Sequence, residues 1–260
     1  MSKAVFFDID GTIWDQKQRI PESTVKAIRK LRENGNYAFL CSGRTRSFIR
    51  GENLFAIGFD GIVGGCGTYV EQEGKILRNI EIPNEKLGKA ISLMKEHHLP
   101  FVMEGSDYLY ADAEDFVGDR FWGLLQHIMG EELLPVCGNE KNWHVNKFSI
   151  NRGDQDLYEI LRSMQNDFEI MLHQGEFTEL VPKGNNKASG IAFVMEHLGI
   201  KREDTFAIGD SINDKDMIEF AGTGIVMGNG TEIVKQSADF ITKDLKDDGL
   251  AYALKEFELI

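Results

Sequence analysis

The sequence predicts an α/β protein whose parallel-sheet core is interrupted by an inserted α+β domain. Three observations predict it. Short, continuous apolar runs alternate with amphipathic helical stretches over residues 1–80 and again after residue 183, the pattern of strands buried on both faces and joined by crossover helices. Several of those runs end in acidic or glycine-rich polar clusters, where open α/β sheets hold their ligands. Between about residues 82 and 182 the strongly apolar runs disappear, leaving short strand-like pieces among helices, the texture of an α+β insertion with one sheet face exposed. The domains expected are therefore 1–81 with 183–260, and 82–182.

Ala4-Val5-Phe6-Phe7 opens the chain as a buried strand and runs into Asp8-Ile9-Asp10-Gly11-Thr12. Residues i and i+2 of a strand point to one face, so a straight continuation sets Asp8 and Asp10 side by side, and Gly11 then permits a sharp departure. Two carboxylates about 4 Å apart repel by about 4 kcal/mol at an effective dielectric of about 20. The pair asks for a metal ion or another positive group nearby, unless one acid stays protonated. Pro21 to Thr24 lead into Val25, Ile28 and Leu31 at helical spacing, and Asn34-Gly35 ends that helix. Tyr37 to Cys41 is a second buried strand, ending in Ser42-Gly43-Arg44. A hydroxyl, a glycine amide and a guanidinium before a helix start at Thr45 suit an anion-binding turn. Gly61 to Val63 is a third strand, followed by Gly64-Gly65-Cys66-Gly67 and a hairpin over Thr68–Val70 and Ile76–Ile82.

In the insert, Leu87, Ile91 and Met94 mark one helix, Asp115 to His127 a second, and Leu157, Leu161 and Met164 a third. Strands are expected at 101–103, 108–110, 145–150, 169–172 and 178–181. Pro182 to Asn186 then lead into a helix headed by Lys187, carrying Ile191, Val194 and Leu198 and stopped by Gly199. Thr205 to Ile208 is another apolar strand, ending in Gly209-Asp210-Ser211-Ile212-Asn213-Asp214. Two further strands, 224–227 and 239–241, enclose a short helix over 232–237, and a last helix lies near 249–256.

The four clusters Asp8-Ile9-Asp10-Gly11-Thr12, Ser42-Gly43-Arg44, Lys187 and Gly209 to Asp214 resemble, in type and order, the four motifs of the haloacid dehalogenase (HAD) superfamily. The insert between the second and third, and Met227-Gly228-Asn229 after the fourth, resemble the Cof-type phosphatases of subclass IIB. The resemblance covers nearly the whole chain. It implies a Rossmann-like, HAD-like core with a cap over residues 82–182 that closes over the active edge and sets specificity. It further implies an Mg2+-dependent phosphatase for small phosphorylated metabolites (sugar phosphates, nucleotides or phosphorylated cofactors). Asp8 would be the nucleophile, forming an aspartyl-phosphate, and Asp10 the general acid and then base. Magnesium would be held by Asp8, the Asp10 backbone carbonyl and Asp210, with Asp214 close to the ion or just behind its ligands. Ser42, Gly43, Lys187 and Asn213 would hold the phosphoryl oxygens, with Arg44 in reach of the substrate. Cys66-Gly67 departs from the Asn-Gly of many relatives. The alternatives carried with this reading are a phosphosugar mutase and a non-catalytic phospho-acceptor or ligand-sensing module.

Composition agrees with a globular, cytoplasmic protein: 42% of the 260 residues are apolar and 27% charged. A net charge of −13 argues against nucleic acid or an anionic membrane as partner, and no apolar run reaches the length of a membrane span. Cys41, Cys66 and Cys137 lack metal-ligand spacing and are expected as buried, reduced thiols. Trp14, Trp122 and Trp143 are expected to serve aromatic packing. Gly222-Thr223-Gly224 misses the dinucleotide spacing, Gly184 to Lys187 is too short for a Walker loop, and Asp210 to Asp214 lacks the EF-hand register.

Overall fold

The computed structural model describes residues 2–140, 142–151, 157–172 and 177–260. The chain begins β1 (Ala4–Phe7), α1 (Glu22–Glu33), β2 (Tyr37–Cys41), α2 (Glu52–Phe55), β3 (Gly61–Gly64), β4 (Tyr69–Gln72) and β5 (Lys75–Asn79). It continues through α3 (Asn84–Glu96), β6 (Phe101–Glu104), β7 (Leu109–Tyr110), α4 (Arg120–Met129), β8 (Leu133–Leu134), β9 (Lys147–Asn151), α5 (Tyr158–Met164), β10 (Phe168–Leu172) and β11 (Phe177–Pro182). The last part is α6 (Lys187–Leu198), β12 (Thr205–Gly209), α7 (Lys215–Phe220), β13 (Thr223–Val226), α8 (Glu232–Lys235), β14 (Phe240–Ile241) and α9 (Gly249–Glu256).

Two compact units result: Met1–Gly43 with Arg50–Leu77 and Asn186–Ile260, and Arg44–Ile49 with Arg78–Asn185. The short segment Arg44–Ile49, which the sequence pattern groups with the flanking strands, belongs to the second unit because its hydroxyls bond there. Thr45 Oγ1 donates to Glu104 Oε2 at 3.2 Å, and Ser47 Oγ to the Gly105 carbonyl at 2.8 Å. In place of the helix expected from Thr45 there is a single 3-10 turn, Arg46–Phe48.

The first unit is built on a sheet in the order β14-β13-β12-β1-β2-β3-β4-β5, parallel from β14 to β3 and turning antiparallel at β4. Its central strands β12, β1, β2 and β3 are buried on both faces. Ala4, Phe6, Phe39, Val63 and Ala207 pack against Ile191 and Val194 of α6 and Met217 and Ile218 of α7. The alternate residues Val5, Phe7 and Leu40 are buried too, on the side where α1 packs against β2 and α9. β1 pairs in register with both neighbours, Phe7 opposite Leu40 on one side and Ile208 on the other. The residues that follow these strands, Asp8, Ser42 and Asp210, therefore emerge at one carboxyl edge.

Close backbone approach fixes the start of α6 at that edge. Gly67 has φ +84°, and a Cβ there would lie 2.1 Å from the Asn186 carbonyl; a Cβ on Gly190 would meet the Gly67 Cα at 2.9 Å. Only glycines let the 65–67 turn and the helix touch. Asn186 and Ser189 form a reciprocal capping box, and Gly199 ends the helix in the left-handed conformation.

The second unit has a sheet in the order β10-β11-β9-β6-β7-β8, antiparallel except for the β7–β8 pair. One face carries Phe101, Met103, Tyr110, Phe148, Ile150 and Leu180 against Leu87, Ile91 and Met94 of α3 and Leu161 and Met164 of α5. The other face was expected to be open to water, and here the structure differs. Glu104 and Lys147 are buried on it, Lys147 pairing with Glu179 and with Glu104 at 3.4 Å. Ser149 donates to Glu104. The polar alternation that reads as solvent exposure here includes a buried ammonium set between two carboxylates. The helix expected over 115–127 starts later, at Arg120, because Gly118 has φ +81° and Asp119 caps the Phe121 amide. Cys41 and Cys66 are buried free thiols, whereas Cys137 is exposed, its sulfur 3.6 Å from the Lys95 ammonium in the segment after β8. Among the described residues no helix is long and apolar enough to cross a membrane.

Candidate active site

Asp8 leaves the end of β1 with its amide donating to the Ile208 carbonyl at 2.9 Å, and its carboxylate is buried. The Lys187 ammonium, 1% exposed, sits between two acids, donating to Asp8 Oδ1 at 2.6 Å and to Asp214 Oδ1 at 2.5 Å. Residues 179 and 27 positions away along the chain thus meet the same nitrogen. The other Asp214 oxygen, Oδ2, accepts the Asp210 and Ser211 amides, both at 2.9 Å, in a capping box that closes the 3-10 turn Ile212–Asp214. Asp214 is consequently held by both oxygens.

Asp210 lies across from Gly11, where φ is +82° and a Cβ would stand 2.3 Å from Asp210 Oδ2. The glycine lets the first loop pass beside this carboxylate. Thr12 Oγ1 approaches Asp210 Oδ1 at 3.5 Å. One carboxylate oxygen from each of Asp8, Asp210 and Asp214 lies within 4.8 Å of the others. Hard oxygen donors in this number suit a divalent cation, and the charge balance agrees. Three acids face the single Lys187 ammonium at the centre of the cluster.

Crowding of like charges appears in the acidities. Burial first, and Asp214 second, hold the Asp8 carboxyl well above the usual carboxylate range despite Lys187. Burial, again with Asp214, pushes Asp210 up to about 7. For Lys187, burial opposes the charge, but Asp214 and Asp8 together outweigh it and hold the ammonium well above the ordinary lysine value.

The remaining sequence candidates are distributed as follows. Asp10 is exposed and accepts a hydrogen bond from the Trp14 indole at 2.8 Å. Ser42 is buried at the same sheet edge, one residue beyond β2; its amide donates to the Val63 carbonyl at 2.8 Å and its carbonyl accepts from the Cys66 amide at 3.2 Å. The Gly43 carbonyl lies 4.0 Å from the Cys66 sulfur. Cys66 has φ +53°, a left-handed conformation that asparagine tolerates better than cysteine. Asn213 accepts from Ser211 Oγ. Arg44 belongs to the second unit, where its guanidinium lies 5.1 Å from the Phe48 ring centre.

Three contacts were not anticipated from sequence. Thr12 reaches Asp210, Trp14 reaches Asp10, and Asn229 ties the first loop to the last, its amide donating to the Gly11 carbonyl at 2.9 Å and its oxygen accepting the Leu245 amide at 2.8 Å. Only proximity to the motifs, Thr12 and Trp14 beside Asp10 and Asn229 after β13, could have signalled them. Asp10, Gly11 and Asp210 also border a cleft of about 650 Å³ that extends to Ile20, Asn229 and Leu245.

A family model described as haloacid dehalogenase-like hydrolase matches residues 5–254. The chain belongs to the haloacid dehalogenase superfamily. Among its relatives, the putative phosphatase YkrA of Bacillus subtilis is 30% identical over all of this chain and 99% of its own length. The 5-amino-6-(5-phospho-D-ribitylamino)uracil phosphatase YcsE of the same organism is 29% identical, with 99% and 96% covered. A solved structure described as a HAD subclass IIB sugar phosphatase superposes with a TM-score of 0.84 at 26% identity, both chains covered completely. The chain is a HAD phosphatase of the Cof type, a phosphoric monoester hydrolase.

Proposed function

We propose that this HAD phosphatase hydrolyses small phosphorylated metabolites with the help of Mg2+, through a phosphoryl group carried transiently on Asp8. One observation carries the reading: a buried lysine joins Asp8 to Asp214 while Asp210 completes an oxygen cluster at the same edge. Asp8, the Asp10 backbone carbonyl and Asp210 would hold magnesium, with Asp214 beside them orienting Lys187 and the Asp210 loop; when bound, the ion neutralises the carboxylates and the incoming phosphate dianion.

The chain's own groups supply the rest. An Asp8 oxygen attacks phosphorus while Asp10 protonates the departing alkoxide; Asp10 then takes a proton from the water that cleaves the acyl phosphate, so the two half-reactions share one acid and base. Lys187 offsets charge at Asp8 and offers N–H donors to a phosphoryl oxygen. Ser42, the Gly43 amide and Asn213 provide further donors, and Arg44 a contact to the substrate. The second unit would select the leaving group, and names such as sugar phosphatase and phosphoribitylaminouracil phosphatase among relatives favour phosphorylated sugars, polyols and sugar-bearing cofactor precursors. Such substrates agree with a cytoplasmic location.

The reading is tested by phosphate release from 4-nitrophenyl phosphate and from a panel of sugar, nucleotide and cofactor phosphates, with Mg2+ and with chelator. Turnover that survives complete chelation would remove the metal from the mechanism. The acidity of Asp210 adds a second expected outcome. A carboxyl with a pKa of about 7 is largely protonated at pH 6, so Mg2+ must displace a proton and binds more weakly there than at pH 8. Calorimetry at pH 7 in buffers of different ionisation enthalpy should show net proton release on Mg2+ binding; none at all would mean that Mg2+ displaces no proton from Asp210.

A further inference from the structure

Trp14, the largest fully buried side chain among the described residues, ends in a polar atom that meets the exposed carboxylate of Asp10. Its indole Nε1 donates to Asp10 Oδ1 at 2.8 Å. The geometry around the ring leaves little freedom. The Trp14 amide donates to the Ile9 carbonyl at 3.2 Å, its carbonyl accepts the Gly11 amide at 2.9 Å, and residues 10 and 14 form an isolated parallel bridge. At Gly51, a Cβ would lie 3.3 Å from the six-membered ring, so even the far edge of the indole is packed. The N–H is therefore fixed in place before substrate arrives.

An indole N–H can only donate. The carbonyl oxygen of a carboxylic acid is its better acceptor, so engaging Oδ1 favours the proton of the acid form on Oδ2. We propose that Trp14 is a positioning residue that fixes the orientation of the Asp10 carboxyl and keeps Oδ2 as the oxygen that passes a proton to the leaving group. This rests on the assignment of Asp10 as general acid. In the first half-reaction the Asp8 oxygen–phosphorus bond forms, the phosphorus–alkoxide bond breaks, and the alkoxide takes the Oδ2 proton, leaving Asp10 as a carboxylate. In the second half-reaction the same oxygen accepts a proton from water and the acyl phosphate opens to Asp8 and inorganic phosphate. With Oδ1 engaged by the indole, one oxygen serves both transfers without rotation of the carboxyl.

The test exploits leaving-group chemistry. The ratio kcat/KM reports steps up to departure of the leaving group, which an alkyl phosphate cannot complete without protonation and 4-nitrophenyl phosphate can. Asp10→Asn is expected to lower kcat/KM for the best alkyl phosphate by about a hundredfold or more and to affect 4-nitrophenyl phosphate much less. Trp14→Phe, which removes the N–H and keeps an aromatic ring, should show the same selectivity with a loss of about tenfold to a hundredfold on the alkyl phosphate. If Trp14→Phe fails to fold, replacement of Trp14 by 3-benzothienylalanine keeps the ring shape and substitutes sulfur for the N–H. Equal losses on both substrates, or no loss, in the folded variant would overturn the positioning role while Asp10→Asn still shows selectivity. A lack of selectivity in Asp10→Asn would instead overturn the assignment of Asp10 on which the role rests.

Discussion

Asp8→Asn is expected to reduce kcat for 4-nitrophenyl phosphate by about ten-thousandfold or more, because an amide oxygen cannot act as the attacking group and, among the described residues, no other buried acid stands at the end of β1 to replace it. Asp214 uses both oxygens on Lys187 and on the Asp210 and Ser211 amides. The fold should survive the substitution. Burial and Asp214 already penalise the Asp8 charge, so its removal relieves repulsion in the metal-free protein, and the unfolding midpoint measured in chelator should not fall. Substrate quenched in acid should label the native protein with phosphate and leave Asp8→Asn unlabelled. A folded Asp8→Asn protein retaining more than about a tenth of the native activity would refute the nucleophile assignment.

Lys187→Met is expected to cost about 3–5 kcal/mol in urea unfolding with chelator present, the usual consequence of removing one partner from a buried ion pair. Two carboxylates, Asp8 and Asp214, then face each other without their shared cation. Asp8, whose pKa burial already raises, escapes by taking up a proton, which sets the sign of the pH dependence. In the variant, as in the native protein for Asp8, the folded acid has a pKa above its unfolded value, so it is favoured when protonated, and stability is lost as pH rises from the unfolded value towards the folded one. The deficit should thus be larger at pH 8 than at pH 5, and added Mg2+ should recover part of it. A deficit below about 1 kcal/mol at pH 8 would show that the lysine does not compensate these acids. Activity should fall with stability corrected for, since a phosphoryl oxygen loses a donor.

The core and the four clusters were legible because their signals are local and repeated. An apolar run ending at Asp8, another at Ser42 and a third at Asp210 each announce the end of a buried strand, and parallel pairing then has to bring those ends to one edge. Lys187 was legible only as a lysine at a helix start; its burial follows from Gly67 and Gly190 admitting that helix close to the sheet, a three-dimensional fit with no one-dimensional trace. Trp14 read as packing, and it is packing, but the direction of its N–H depends on the loop that begins at Gly11. The insert was less transparent. Alternation such as Val102, Glu104 or Lys147, Ser149 has the same period whether its polar members meet water or one another, so Glu104 and Lys147, expected on an open face, turned out to be buried.

That buried charged face has a consequence for how the second unit finds its pairing. β6, β9 and β11 contribute Glu104, Lys147 and Glu179, opposite or diagonal neighbours in the observed alignment. Sliding β9 by a single residue would rotate Lys147 among Phe101, Met103 and Leu180 and strand an ammonium in hydrocarbon, far costlier than a misplaced leucine. The lysine therefore acts as a proofreader during assembly: antiparallel strands that are similar enough in hydrophobicity to dock in several ways are left with one arrangement that all three ions can tolerate.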